Sequence, residues 1–325
     1  MLNRVARSGR GGGAGREGAK PDRSTSAPPP VRPPVRPPVQ YLPLTPGRAL
    51  ARASFQMAAI VLLAFVANVT VLSQLQHAVA QQLGYNTLKE QLAAGTLPVS
   101  EGDTDNVLLP DGVPVALLKI PQIGLDEVVV EGTNSATLMA GPGHRRDTVL
   151  PGQPGVSVLL GRAAAYGGPF SRLQELAPGT KITVVTGQGE QQFKVIGVRY
   201  AGDPTPPVLA SGQSRLVLQT ARGLPFVPSG VLYLDAELVS KVQDRGARQT
   251  TWASLPASDL AMGIDTSSVW ALVFALQFLI AAELAIVLIV PRIGGRKIWI
   301  VFVPIVAIGG LWVATQLVNL LPNLL

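Results

Sequence analysis

The stretch Leu150–Leu176, LPGQPGVSVLLGRAAAYGGPFSRLQEL, joins a turn, an apolar run and a loop of small residues in one continuous segment. Its opening Pro and Gly residues predict a turn, and the apolar run Val156–Leu160 is typical of a short buried strand. Small residues follow, and Pro169-Phe170 then leads into a short helical pattern. We expect this segment to lie at the centre of a β domain, with the flanking chain either completing its sheet or anchoring it to a membrane.

Short segments rich in Val, Leu and Ile fill the region between Val113 and Leu238, and Gly, Pro or Asn turns separate most of them. They are Val115–Ile120, Glu127–Glu131, Val156–Leu160, Lys181–Thr186, Gln192–Tyr200, Arg215–Gln219 and Val231–Ala236. The tetrapeptide Thr186–Gly189 is typical of a hairpin turn. Seven or eight strands with brief helical insertions predict a closed or nearly closed β-barrel over residues 113–240.

Three apolar segments are long enough to cross a membrane as helices. They are Phe55–Leu75, Val269–Val290 and Ile298–Leu321. The first follows a basic region too long for a cleaved signal peptide, which favours a retained anchor. Arg48 and Arg52 precede it, and the basic joint Pro291–Lys297 links the other two. Because positive loops stay in the cytoplasm, the sequence predicts a multi-pass plasma-membrane protein with a cytoplasmic N-terminus and an extracytoplasmic barrel.

The remaining regions complete the predicted domain organisation. The order is a disordered basic, Pro-rich tail (1–52), a transmembrane helix (53–76), stalk helices and a linker (77–112), the barrel (113–240), a tether (241–267), a second transmembrane helix (268–291), a cytoplasmic loop (292–297) and a third transmembrane helix (298–321). In the stalk, Leu72, Leu75, Val79 and Leu83 recur at helical spacing and are expected to pack on the domain. A second stalk helix is expected to begin at Asn86 and to end at Gly95.

Charge and residue usage exclude several classes of function. Residues 1–52 hold ten Lys or Arg against two acids, a balance of +8, while the whole chain is +7. The basic character therefore belongs to the tail, and no nucleic-acid partner is predicted. The chain has no cysteine, which excludes disulfides, thiolate nucleophiles and Cys-ligated metals. His77 and His144 are far apart in sequence, so neither a metal site nor a cofactor is predicted.

Several motifs in the predicted barrel occur together in one known family. They are Ile120–Leu125, Gly141–His144, Leu150–Gly155, Gly161–Phe170, Arg215–Thr220 and Val231–Leu238. In this combination the region from Val113 to Leu238 resembles the sortases, membrane-anchored transpeptidases of Gram-positive bacteria, and in particular the class E, actinobacterial-like branch. The resemblance implies an eight-stranded β-barrel.

The resemblance also implies where the reactive groups should be. In sortases a cysteine attacks the carbonyl of a sorting signal, a histidine transfers protons, and an arginine stabilises the oxyanion or positions the substrate. Aligned by the motifs, these positions hold Ala221, Arg162 and Val231 here. All three reactive residues are replaced, so the resemblance implies a degenerate site that is not enzymatic.

A barrel that keeps its scaffold without its reactive groups can still bind an extended peptide or another envelope protein. The binding-groove candidates are Arg162, Tyr166, Thr220, Arg222 and His144. Arg162 is expected either to give the groove a positive charge or to extend to water, and His144 is expected to have a structural or surface role. The sequence thus favours a binding or scaffold subunit; the alternative is an envelope peptidase or transpeptidase with non-thiol chemistry at Thr220 or Arg222.

Three polar residues lie inside the predicted membrane helices. Asn68, Glu283 and Gln316 belong to the first, second and third helix respectively. Because polar groups at this depth tend to face partners, we expect them to pack within this helix bundle or against another membrane protein. A second alternative, an accessory subunit of a membrane transporter, depends on proton transfer by Glu283.

Overall fold

A computed structural model describes residues 46–103, 105, 107–293 and 295–325. Most of the predicted tail therefore lies outside the described residues. The last part of that tail, residues 46–52, is described and is helical, because helix α1 spans Pro46–Ala67. Helix α1 thus begins before the predicted membrane segment, whereas its part that is apolar enough to cross a membrane begins at Ser54.

Eight strands form a closed barrel, as predicted. They are β1 (Pro114–Ile120), β2 (Leu125–Glu131), β3 (Gly143–His144), β4 (Gly155–Leu160), β5 (Lys181–Thr186), β6 (Gly189–Tyr200), β7 (Ser214–Leu224) and β8 (Val227–Leu238). Around the barrel the order is β1-β2-β3-β4-β7-β8-β6-β5, and β5 pairs with β1 to close it. The β2–β3 and β4–β7 pairs are parallel and the others are antiparallel.

The alternation of apolar and polar residues explains these strands. In β6, Gln191, Phe193 and Val195 are buried, while Gln192 and the other intervening side chains are exposed, which is the period of two expected for a half-buried strand. The buried side chains join one interior core, in which Phe193 and Leu118 are fully inaccessible. The predicted turn Thr186–Gly189 is confirmed, because Thr186 pairs directly with Gly189.

Two parts of the barrel differ from the prediction. Strand β3 contains only Gly143 and His144, so it is too short to show a periodic signal. The β7–β8 hairpin extends beyond the predicted strand ends, through a register shift between Arg222 and Gly223. Gly223 has a φ of 125° at that shift, a conformation that glycine adopts without a Cβ clash.

One continuous helical rod replaces the two predicted stalk elements. Helix α1 passes through a π-helical turn, Asn68–Leu72, into helix α2, Ser73–Ala94. The predicted helix start at Asn86 is wrong: the Asn86 side chain accepts a hydrogen bond from Gln82 Nε2 at 3.2 Å within the helix. The predicted end is confirmed, since Gly95 is left-handed with a φ of 67° and caps the helix.

A different face of α2 packs on the barrel from the one expected. Leu75, Val79 and Leu83 are each more than half exposed, so their predicted packing on the domain is wrong. The contact is made instead by Leu88, which is buried, and by Gln81. Gln81 Oε1 accepts the N–H of Val128 at 2.7 Å, and Gln81 Nε2 donates to the oxygen of Ala140 at 2.7 Å.

Helices α3 (Val269–Ile293) and α4 (Gly295–Asn319) pack with α1 in one bundle. Their shared apolar core includes Leu279, Val306 and Val313, with Val61 of α1 against it. The helices extend into the predicted loop 292–297 from both sides, and position 294 lies outside the described residues. Three helical segments, Ser54–Ala94, Val269–Ile289 and Ile300–Asn319, are long and apolar enough to cross a membrane.

The predicted tether lies along the barrel. Two short 3-10 helices, Trp252–Ser254 and Ala257–Asp259, interrupt it. The guanidinium of Arg248 donates to the oxygens of Thr148 and Arg146, and Thr133 Oγ1 donates to the oxygen of Asp259 at 2.7 Å. This segment therefore forms part of the outer wall of the domain.

Candidate functional site

Strand β4 leads into the loop that carries Arg162, residues Gly161–Phe170, which we call the Arg162 loop. The N–H of Gly161 donates to the oxygen of Gln219 on β7 at 3.0 Å, and the N–H of Phe170 donates to the oxygen of Arg162 at 3.1 Å. A Cβ on Gly161 would lie 2.5 Å from the ring of Phe170. A larger residue here would have to displace the Phe170 ring, because that ring lies directly over the backbone of Gly161.

The Arg162 guanidinium is buried, with the residue 1% exposed. Its Nη2 donates to the main-chain oxygen of Ser135 at 2.8 Å and to Ser135 Oγ at 2.9 Å, and its Nη1 donates to the oxygen of Leu325 at 3.0 Å. The guanidinium carbon also lies 5.0 Å from the ring centre of Tyr166. The hypothesis that Arg162 extends to water is therefore wrong.

Burial lowers the pKa of Arg162 to about 10, opposed by the neighbouring Tyr166. The group is still protonated near neutral pH, so it does not exchange protons as an imidazole does. Its Nη1 and Nη2 donate to main-chain and hydroxyl oxygens, whereas its Nε has no hydrogen-bond partner in the described part of the chain. The position can thus hold a peptide segment in place, but it cannot act as a general base.

The other two replaced positions face each other across the β7–β8 ladder. Ala221 is the register partner of Val231, and both pack against the apolar cluster that contains Leu160 and Leu324. Ala163, next to Arg162, borders the same cavity as Ala221. The structure therefore brings the three replaced positions to one end of the barrel, where the surrounding side chains are mainly apolar.

A small cavity of about 170 Å³ opens beside these positions. Thr220 and Arg222 line it together with Phe170 and Phe226, and Leu325 forms part of its wall. Thr220 is buried, and its Oγ1 has no hydrogen-bond partner in the described part of the chain. Of the five predicted groove residues, Thr220 and Arg222 line the cavity. The other three, Arg162, Tyr166 and His144, lie outside its lining.

His144 is an interior link between strands. It is 1% exposed, with Nδ1 2.9 Å from Glu131 Oε2 and Nε2 3.0 Å from the oxygen of Val149. Both ring nitrogens thus have partners, and the ring holds β3 against β2 and the following loop. This environment fits a structural role, and a surface role is wrong.

Tyr166 joins the Arg162 loop to the membrane helices. Its ring is fully buried and packs in a cluster with Val69 of the π-helical turn and Val318 near the end of α4. Burial raises the pKa of Tyr166, so its hydroxyl stays neutral. Gly167 lies so close to the His77 ring of α2 that a Cβ added to it would be 2.4 Å from that ring. The loop is therefore packed against the C-terminal ends of α1 and α4 and against α2.

The polar residues of the membrane helices do not form one cluster. Glu283 Oε1 accepts a hydrogen bond from Ser54 Oγ at 3.1 Å, near the beginning of α1. Asn68 is buried in the π-helical turn, about 20 Å further along the same helix at 1.5 Å per residue. Gln316 is half-buried in α4. The contact of Glu283 lies within this bundle.

Sequence reasoning missed the segment Leu321–Leu325 and Ser135, both of which meet Arg162 or its neighbours. Leu321–Leu325 follows an apolar helix and carries no charge, so its composition does not distinguish it from the end of that helix. Among the described residues, no group of three His, Cys, Asp or Glu side chains could hold a metal ion.

Comparisons with known proteins agree with the barrel. Residues 118–226 match the model of the Sortase domain family. Sortase D of Bacillus subtilis (strain 168) is 27% identical over 153 residues, which cover 43% of this chain and 76% of that protein. These two matches support the sortase family for the barrel.

Solved structures of sortases are also similar to this chain. The Sortase D5 transpeptidase of Clostridium perfringens is 17% identical, with a TM-score of 0.39, and the match covers 51% of this chain and 99% of that one. Sortase E1 of Streptomyces coelicolor, solved with a tripeptide in its active site, is 23% identical with a TM-score of 0.36, over 40% of this chain and 90% of that one.

Proposed function

We propose that this protein is a non-catalytic, sortase-like membrane protein whose barrel acts as a binding or scaffold subunit of a cell-envelope assembly. One observation carries the proposal: the positions that align with the sortase cysteine, histidine and arginine hold Ala221, Arg162 and Val231 in a chain without cysteine. The similarity of the barrel to sortases supports the alignment by which those positions were identified.

Side-chain chemistry explains why the reaction of the family stops here. Ala221 has no nucleophilic atom, so an acyl intermediate cannot form at that position. Arg162 stays protonated, and its Nη1 and Nη2 donate to Leu325 and Ser135. Val231 has no donor with which to stabilise an oxyanion. Each step of the cysteine mechanism therefore lacks its group.

The tip of the β7–β8 hairpin is the surface through which we expect a partner to bind. Leu224, Phe226 and Val227 are exposed there, next to the cavity beside Ala221. Contiguous exposed apolar side chains are typical of protein interaction sites. Together with the three helices that could cross a membrane, this tip fits a partner in the same membrane or in the envelope of a Gram-positive, actinobacterial-like cell.

The placement follows from the basic residues that flank the helices. Arg48 and Arg52 precede the first apolar segment, and Arg292, Arg296 and Lys297 lie between the other two. The positive-inside rule then puts the N-terminus in the cytoplasm and the barrel outside. Fusion of a reporter that is active only in the cytoplasm, placed before residue 46 or within the β7–β8 hairpin, tests this orientation.

A peptide-transfer assay tests the absence of catalysis. The purified full chain in detergent micelles is incubated with a sorting-signal peptide and an amine acceptor, with a cysteine sortase as positive control. We expect no cleavage and no transfer, and no effect of a thiol-directed sortase inhibitor. Turnover that persists in a preparation proven free of genuine sortase would overturn the proposal.

Thr220 supplies the matched variant for that assay. Its buried, unpartnered hydroxyl beside the cavity is the observation that favours the second candidate, an envelope peptidase or transpeptidase with non-thiol chemistry. If Thr220→Ala abolishes a turnover that the parent chain shows, this second candidate is correct. If neither protein turns over peptide, the scaffold proposal stands.

Crosslinking in native membranes, followed by affinity purification, tests the binding role. We expect another membrane or envelope protein to copurify, and the double variant Leu224→Ser, Val227→Ser to reduce its yield several-fold. Val208→Ser, which changes an almost fully exposed side chain elsewhere, is the matched control. A chain that crosslinks to no other protein would contradict the role as a subunit.

A further inference from the structure

The segment that follows α4 folds back into the degenerate site. Helix α4 ends at Asn319, and Asn323 and Leu324 are then completely buried, with Leu325 5% exposed. Such burial is unusual for residues that follow a membrane helix, because such segments are commonly solvated. The segment Leu321–Leu325 therefore has a specific binding site on the barrel, which we call the latch site.

The side chain of Asn323 holds the beginning of this segment in place. Its Nδ2 donates to the oxygen of Thr133 at 2.8 Å, of Leu260 at 2.9 Å and of Ser258 at 3.2 Å. Its backbone N–H donates to the oxygen of Gly263 at 2.9 Å. A side-chain amide has two N–H donors, and these three acceptors surround them, whereas Asn323 Oδ1 has no hydrogen-bond partner in the described part of the chain. The wall therefore selects a side-chain N–H donor here.

Leu324 occupies the space over the replaced positions. Its side chain belongs to the cluster of Leu160 and Val217, against which Ala221 and Val231 pack. Its main-chain oxygen accepts the N–H of Ala163 at 2.9 Å. An apolar residue fits because Ala221 and Val231 present only methyl groups.

Leu325 completes the contact through its main chain. Its oxygen accepts from Arg162 Nη1 at 3.0 Å, and the residue forms part of the wall of the cavity that Thr220 and Arg222 also line. Two successive oxygens of the segment, of Leu324 and Leu325, are thus bound by the backbone N–H of Ala163 and the side chain of Arg162. The N–H of Leu325 donates to the oxygen of Pro322 at 3.1 Å, so the bound segment is a turn, and its main-chain oxygens are bound with little regard to the second side chain.

We propose that the latch site is a peptide-binding site whose resident ligand is the chain's own segment Asn323–Leu325. The site takes a peptide turn with a side-chain amide followed by a buried apolar residue, and another peptide enters only when the resident segment leaves. Because the segment is covalently joined to α4, its docking is intramolecular and has a high effective concentration. Movement of a membrane helix is thereby linked to occupancy of the barrel. This proposal stands apart from the binding of another protein at the hairpin tip.

Single cysteines test the docking directly, since the natural chain has none. Leu324→Cys is labelled with a maleimide in the full chain in detergent micelles, and Leu224→Cys, at a 74% exposed position, is the matched control. We expect the thiol at position 324 to react at least about 100-fold more slowly, because labelling requires local opening. Equal rates would overturn the proposal.

A second substitution separates docking from general burial. Asn323→Ala added to Leu324→Cys removes three hydrogen bonds that hold the segment but none that holds the barrel, so labelling should accelerate at least about tenfold. Asn86→Ala, at an exposed position on α2, should leave the rate unchanged. If Asn323→Ala does not change the rate, the segment is not a separately held ligand.

Exchange is tested with a vacated site. Leu324→Asp places a carboxylate in the apolar cluster and should release the segment, since an unpaired buried charge is strongly unfavourable. A fluorescent peptide with the sequence of residues 321–325, LPNLL, should then bind this variant and bind the natural chain at least about tenfold more weakly. Val208→Asp is the control for the added charge. Failure of the peptide to bind the folded Leu324→Asp protein would refute exchange at this site.

Discussion

Arg162→Met removes a buried guanidinium while keeping most of the side-chain length, and it tests whether this residue holds the Arg162 loop and the Leu321–Leu325 segment together. Two opposing energies decide the outcome. Burial disfavours the charge, whereas the hydrogen bonds to Ser135 and Leu325 favour it. Replacement of a buried charge by an apolar residue can stabilise or destabilise a protein, depending on which energy is larger.

The structure gives the magnitudes. The pKa of Arg162 falls from 12.5 to about 10, and at ~1.36 kcal/mol per pKa unit this corresponds to a cost of about 3 kcal/mol for the charged form. Three hydrogen bonds from a charged donor contribute ~1.5–3 kcal/mol each. Their sum of about 4.5–9 kcal/mol exceeds the cost, so Arg162→Met should lower the free energy of unfolding by about 1–6 kcal/mol, with about 3 kcal/mol expected.

Pulse proteolysis of the full chain in urea measures this free energy, with cleavage followed in the barrel. The matched control is Arg222→Met, because Arg222 is exposed and its main contact is a stacking on Tyr200 at 4.1 Å; its loss should cost less than about 1 kcal/mol. If Arg162→Met is as stable as the natural chain or more stable, desolvation outweighs the hydrogen bonds and the reasoning is refuted.

Three further substitutions have defined outcomes. Burial raises the pKa of Asp259 from 3.8 to about 6; folding thus favours its protonated form, and that stabilisation is complete below pH ~3.8 and lost as the pH rises through about 6. Asp259→Asn should therefore raise the free energy of unfolding by about 1–3 kcal/mol near pH ~7.5 and change it little at pH ~4; equal effects at both pH values would contradict this. Gly161→Ala places a Cβ 2.5 Å from the Phe170 ring and should cost about 1–3 kcal/mol in the same assay, so an unchanged midpoint would mean that the loop adapts freely. Glu283→Gln keeps an acceptor for Ser54 Oγ and should leave stability and copurifying partners unchanged, whereas loss of function would favour the transporter hypothesis.

Local patterns were sufficient for most of the fold. The alternation in β6 and the hairpin at Thr186–Gly189 are properties of a few neighbouring residues, and the structure has both. Strand β3 could not be predicted, because His144 is held there by partners on β2 and β4 and not by a periodic pattern. The same holds for Asn86, whose good capping propensity is overridden by a helix that packs on the barrel through Leu88.

The sequence indicated some positions of the candidate site but not the contacts that they make. Motif spacing identified Arg162, Ala221 and Val231, and the structure places them at one end of the barrel. The burial of Arg162 and the docking of Leu324 could not be predicted, because they depend on contacts between residues more than a hundred positions apart. An arginine's charge is visible in the sequence, but the oxygens that satisfy it are visible only in the fold.

Intact-protein mass spectrometry tests the absence of a covalent mechanism most directly. The full chain is incubated with a sorting-signal peptide and then measured without further treatment. Because Ala221 has no atom that could carry an acyl group, we predict an unchanged mass. An increase by the mass of the peptide's acyl part, present in the natural chain and absent in Thr220→Ala, would contradict the account.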